Sequence, residues 1–174
     1  MKLLRYIALL LFLIPLSGFS QGSGNNGNEY DLKALFIFNF IKYVDWTQTN
    51  GTGNFKIVIL GQSEINESLQ KIAEQKKVNN RKVEIKSSED LDEINGQVLF
   101  IPRNMSDHLP ECIDKFSGKG MLIVTEGKNL ASKGSSINFV MLDNKMKFEI
   151  NQTAVRNSGL KVSSQLLDLA IVVK

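Results

Sequence analysis

The sequence holds 174 residues, with 21 Lys and Arg against 18 Asp and Glu, and 43% of it is hydrophobic. That length suits a single domain whose core can stand without disulfide staples, and the lone cysteine, Cys112, excludes an internal bridge. A formal charge of only +3 gives no electrostatic reason to seek nucleic acid or an anionic membrane.

The first twenty residues have the three parts of a secretory signal. Lys2 and Arg5 precede an apolar run from Tyr6 to Leu16 broken only by Pro15, and Gly18-Phe19-Ser20 places small residues where a signal peptidase reads. Cleavage before Gln21 is expected. The run is shorter than the roughly 20 apolar residues that span a bilayer, and no Cys follows it to carry a lipid anchor. Losing residues 1–20 removes two positive charges and no acid, so the formal charge falls from +3 to +1. No stable membrane insertion and no nucleic-acid partner are expected of the mature chain.

Residues 21–29, rich in Gly, Ser and Asn, read as a flexible leader, and residues 30–174 as one domain. Leu32, Leu35, Phe36, Phe40, Tyr43 and Val44 recur at helical spacing, and Ala34, Ile37, Phe38 and Ile41 fill much of the remaining circumference. A helix covered on most sides is predicted. Phe55 to Leu60 is a nearly continuous apolar run ending at Gly61, the pattern of a central parallel strand. Ser63 can cap a helix that carries Ile65, Leu69 and Ile72 inward. Lys82 to Lys86 alternates as a strand with one wet face. A short helical piece is predicted around Leu91 and Ile94, before a buried strand at Val98–Ile101. Met105 to Phe116 reads as helix, stopped by Gly118 and Gly120, and Met121 to Val124 as a third apolar strand.

Thereafter Ile137, Phe139 and Met141, and then Met146, Phe148 and Ile150, alternate around Asp143-Asn144, predicting an antiparallel hairpin. Asn151 can cap a following helix that Gly159 interrupts, and Ser163 or Ser164 can restart one through Leu166, Leu167 and Ala170. The fold class is α/β: a three-layer sandwich with a mostly parallel central sheet, helices on both faces and a C-terminal antiparallel β-hairpin.

The residues offer little chemistry. His108 and Cys112 sit at helical i, i+4 spacing, but two ligands are short of the three or four that zinc takes, and no third group or oxyanion hole suggests a nucleophile pair. No glycine-rich phosphate motif follows a strand. The acidic pairs Glu89-Asp90 and Asp92-Glu93 read as a solvated cluster. No catalytic residue, metal or cofactor is expected.

Ser136 to Val140, Lys147 to Asn151 and Gly159 to Ala170 together resemble the closing part of the YfiR-like periplasmic family. Lys33 to Phe36 with Asn39 to Trp46 is similar to that family's opening helix, Phe55 to Gly61 to its first strand, and Val98 to Ile101 to its third. The resemblance implies a periplasmic, non-enzymatic regulatory protein acting by protein contact. Its expected partner is an inner-membrane sensor such as a diguanylate cyclase, whose restraint lowers cyclic di-GMP; a homodimer is compatible with it. Redox control through paired cysteines, which the family implies, is excluded here by the single Cys112. Tyr43, Trp46, Asn138, Glu149 and Asn151 are the candidate contact residues, weighed against roles as core, cap or pocket wall. The competing reading is a small-ligand-binding protein with its pocket at the strand carboxyl ends near Gly61.

Overall fold

A computed structural model describes residues 26–46 and 53–173 of the chain. The expected signal peptide and the start of the leader lie outside these residues. Helix α1 (Asn26–Tyr43) already begins within the stretch predicted as leader.

The elements follow in the order β1 (Val44–Asp45), β2 (Phe55–Leu60), α2 (Ile65–Gln75), β3 (Lys77–Val78), β4 (Arg81–Ser88), β5 (Val98–Ile101), α3 (Leu109–Phe116), β6 (Leu122–Glu126), β7 (Ile137–Leu142), β8 (Lys145–Asn151), α4 (Gln152–Asn157), β9 (Lys161–Val162), α5 (Ser164–Asp168) and β10 (Ile171–Val173). Eight strands make one sheet in the order β10-β8-β7-β6-β5-β2-β4-β3, and β1 pairs with β9 in a separate ribbon. The contiguous strands β7, β6, β5, β2 and β4 run parallel, as the apolar runs and intervening helices predict. The β7–β8 hairpin is antiparallel. Its turn residues Asp143 and Asn144 adopt φ of 50° and 55°, the left-handed backbone that a two-residue hairpin turn demands.

Strand alternation divides the core between the two faces. Ile57, Ile59, Phe100, Val124, Ile137, Phe139, Phe148 and Ile150 join the inner sides of α1 and α2 in the larger cluster. Val58, Leu60, Leu99, Ile101 and Ile123 meet Leu109, Cys112 and Phe116 in the smaller one. Four phenylalanines seat α1: Phe36 and Phe40 lie against Phe139 and Phe148, with ring centroids as close as 4.8 Å for Phe40 and Phe148. Such ring pairs add about 0.5–1.5 kcal/mol each beyond their burial.

Local chemistry explains where the structure departs from the sequence reading. Around Leu91 and Ile94 there is a turn instead of a helix. The Asp90 carboxylate accepts the Asp92 N–H at 2.8 Å, a local bond that competes with helical pairing. The helix predicted from Met105 splits into a 3-10 segment, Arg103–His108, and α3, because Pro110 is best placed in the first turn of an α-helix. The closing segment ends as helix at Asp168, short of Ala170, and the chain then enters β10. Of the predicted caps two are present, while at α2 Glu64 takes the capping position without a side-chain bond and Ser63 only accepts the Ile65 N–H at 3.4 Å. Asn151 accepts the Ala154 N–H at 2.9 Å and Ser163 accepts the Leu166 N–H at 3.3 Å. Gly159 leaves α4 at φ 78°.

Candidate functional site

Two stripes of α1 contend for the core, and the structure separates them. Ala34, Ile37, Phe38, Phe40 and Ile41 are buried, whereas Leu32, Leu35 and Tyr43 stay exposed. The exposed three stand at i, i+3 and i+11, on one side of a 3.6-residue helix. The helix expected to be covered on most sides therefore presents a mixed ridge outward, apolar at Leu32, Leu35 and Tyr43 and polar at Asn39 and Lys42 between and beside them. At the tip of the β7–β8 hairpin Met141 and Leu142 are exposed as well.

Beside that hairpin the N-terminal half of α1 is tied down by charge. Lys33, buried, pairs with Glu126 at the end of β6, which is equally buried, and with Glu29 at 2.6 Å. The second Glu126 oxygen accepts the Arg103 N–H at 3.1 Å, and the Lys33 amine lies 4.6 Å from the Tyr30 ring centre. Burial works against the lysine's charge, but the hydrogen bonds it donates to Glu126 and Glu29 outweigh it and hold Lys33 above the ordinary lysine range. Burial, with Glu126 nearby, likewise raises the Tyr30 hydroxyl. Sequence reasoning missed this pair. The residues stand 93 positions apart, and neither pattern nor motif marks them.

The candidates named from the sequence fall in three places. Tyr43 lies on the outward ridge, 38% exposed, and its carbonyl accepts the Ser163 N–H at 2.9 Å. Trp46 is 8% exposed; its indole N–H donates to the Ile41 carbonyl at 2.8 Å and its ring meets Phe55 edge-on. In the isolated chain it is a core residue rather than a partly exposed anchor. Gly61, at φ 70°, closes β2, and the Met105 side chain fills the space on its Cβ side at 3.3 Å.

Asn138, Glu149 and Asn151 come together on the sheet face opposite α1. The Asn138 amide donates to the Gly127 carbonyl at 2.8 Å and to the Glu149 carboxylate at 2.7 Å, while its oxygen accepts the Thr125 hydroxyl at 2.9 Å. Ser135 donates to the Ile137 carbonyl at 2.8 Å. Asn151 donates to the Ala131 carbonyl at 2.8 Å while capping α4. These bonds pin the 127–136 connection to the sheet. Every buried side-chain polar atom among the described residues has a partner, so this network is a closed brace.

Cys112 is fully buried, and its surroundings push the thiol up to about 11, chiefly by desolvation with a contribution from Glu111. His108 is exposed beside Glu111, so the i, i+4 pair is split between solvent and core. Among the described residues no three His, Cys, Asp or Glu side chains stand close enough to hold a metal ion. No helix among them is long and apolar enough to cross a membrane.

A family model described as YfiR/HmsC-like (DUF4154) matches residues 30–171, from α1 to β10. The chain belongs to the YfiR/HmsC-like family. No curated protein matches it significantly. Among solved structures it is similar to one described as the ABC domain in complex with L-Trp from Streptococcus pneumonia, at a TM-score of 0.56 and 13% identity. That match covers 83% of this chain but only 60% of the other, and it speaks for the fold alone. The fold and the order of motifs expected of a YfiR-like protein are thus present. The family is in general a periplasmic, regulatory one.

Proposed function

We propose that this YfiR/HmsC-like chain is a non-enzymatic periplasmic regulator that restrains an inner-membrane sensor, a diguanylate cyclase being the leading candidate. The observation that carries this reading is the outward ridge of α1, where Leu32, Leu35 and Tyr43 face solvent on a helix firmly seated by its other side. Three large apolar side chains held out to water on one side of a helix, with Asn39 and Lys42 among them, suit the groove or helix of a partner. Family membership supports both the compartment and the regulatory role. Restraint needs no chemistry: binding one state of the sensor more tightly than another shifts its population. Cys112 is sealed in the core, so release does not run through a disulfide of this chain.

Deleting the gene tests the cyclase partner. Cellular cyclic di-GMP is expected to rise, and to fall again with the wild-type chain but not with Leu35→Lys. An unchanged level after deletion would remove the cyclase from the proposal, and full rescue by Leu35→Lys would remove the ridge.

A ligand-binding reading draws on one feature. A surface groove of about 540 Å³ lies at the carboxyl end of β2, lined by Tyr30, Asp31, Gln62, Ser63 and Glu64 among others. This is where open α/β sheets take ligands. However, Met105 closes the space beside Gly61 itself. A small molecule that raises the unfolding temperature of the wild type, and does so less for Asp31→Ala, supports this reading. A screen without such a shift counts against it.

A further inference from the structure

Two methionines face each other at the tip of the β7–β8 hairpin. Met141 stands directly opposite Met146, next to the closing pair of Leu142 and Lys145. Side chains directly opposite in an antiparallel ladder have Cβ atoms about 4.5–5.5 Å apart, so the two thioethers share one patch. Strand alternation puts both on the face that carries Phe139 and Phe148, the face that α1 covers. Met141 is 52% exposed, and Met146 is half-buried against the larger core cluster. Met105 and Met121 are placed differently. Met121 is buried, and Met105 packs beside Gly61 against the smaller cluster.

The pair also borders the charged tie of α1. Glu29, Lys33, Glu126 and Phe139 line one narrow crevice with Met141 and Met146. A thioether there is apolar and only a weak acceptor, so it leaves the bond between Lys33 and Glu126 undisturbed. We propose that the Met141–Met146 pair is an oxidation site, and that its sulfoxide form loosens the N-terminal half of α1 from the sheet. The co-reactant is a two-electron, oxygen-transferring oxidant such as hydrogen peroxide. The sulfur lone pair attacks one peroxide oxygen, and an S–O bond forms as the O–O bond breaks. The second oxygen leaves with its own proton and that of the first, as water. Sulfur is thereby oxidised by two electrons and the peroxide reduced. The product replaces a flexible apolar side chain with a polar, chiral one. At Met141 the new oxygen is accommodated in water. At Met146 it enters the crevice, where it competes with Glu126 for the Lys33 amine. Cys112 does not divert the oxidant, because the thiolate is the reactive form and this thiol is buried and pushed up to about 11.

This inference concerns the purified chain alone and stands apart from the sensor contact. The exported protein is treated with limiting hydrogen peroxide and its peptides are mapped by mass spectrometry. One oxygen should appear on Met141 first and on Met146 next. Buried Met121 should react about tenfold more slowly, since susceptibility follows exposure. Once Met146 is oxidised, the unfolding temperature should fall by about 3 °C or more, and the α1 amides from Tyr30 to Ala34 should exchange faster with deuterium. Met146→Leu conserves volume and keeps the core filled; it should abolish both responses, whereas Met141→Leu should retain them. Equal reaction at Met121 and the pair, a Met146 that stays unreacted in the folded protein, unchanged α1 exchange after its oxidation, or a response that survives in Met146→Leu would overturn the proposal.

Discussion

Lys33 carries a physical burden out of proportion to its single charge. Its amine is buried between Glu126 and Glu29, and it fastens α1 to the end of β6. Removing one partner of such a pair leaves an uncompensated buried charge, at a cost of about 3–5 kcal/mol. Lys33→Ala should therefore lower stability by that order in chemical unfolding. Lys33→Met combined with Glu126→Leu should cost clearly less than the single change, because it removes both charges together. A double variant as unstable as the single one would mean that the loss comes from packing. Three groups near the cores also set an alkaline limit. Cys112, Lys33 and Tyr30 each hold their proton more tightly folded than unfolded, the first up to about 11. The folded state then binds more protons over that range, and stability falls as pH rises. Stability from the thiol is complete below its unfolded value, near pH 8.5–9, and is lost as pH climbs through its folded value. Lysine and tyrosine follow above their unfolded values, near 10. Thermal unfolding should show a plateau below about pH 8 and a steady decline from pH 9 upward; constant stability across pH 9–11 would contradict this.

Among the elements, those whose identity is written in local pattern were legible. The apolar runs at Phe55–Leu60 and Val98–Ile101 are buried parallel strands, and Asp143-Asn144 turns the hairpin with positive φ. Asn151 and Ser163 are caps. What was not legible depends on partners remote in sequence. Leu32, Leu35 and Tyr43 are apolar at helical spacing just as the inward stripe is, and only Asn39 and Lys42 on their side hint that it faces water. Likewise nothing local marks Ile171–Val173 as a strand until β8 is there to pair with it. The candidate site shows the same division. Asn138, Glu149 and Asn151 were named from the sequence as candidate contacts, and their bonds show a brace around the 127–136 connection. The helix-to-strand passage after α1 makes a quantitative contrast. Trp46→Ala empties a buried, hydrogen-bonded position and should cost about 3–5 kcal/mol. Leu35→Lys, on the exposed ridge, should stay within about 0.5 kcal/mol. Comparing the two unfolding midpoints checks that the ridge is dispensable for folding. A large loss for Leu35→Lys would show that it is not.

At the scale of the whole molecule, the sheet is covered by helices on both faces and ends at β3 on one side and β10 on the other. One helix carries Leu32, Leu35 and Tyr43 to the surface. That distribution places contact, rather than catalysis, at the centre of the account. Because Leu35→Lys is expected to leave the fold intact, it separates contact from stability in a way that Trp46→Ala cannot. The most direct measurement is an affinity pull-down of the tagged exported protein from cross-linked cell envelopes, run in parallel with Leu35→Lys. The account predicts that an inner-membrane sensor is recovered with the wild type and lost with the variant. If the sensor is absent from both while a known envelope complex is captured, or is equally abundant with both, the ridge is not the contact and the central claim fails.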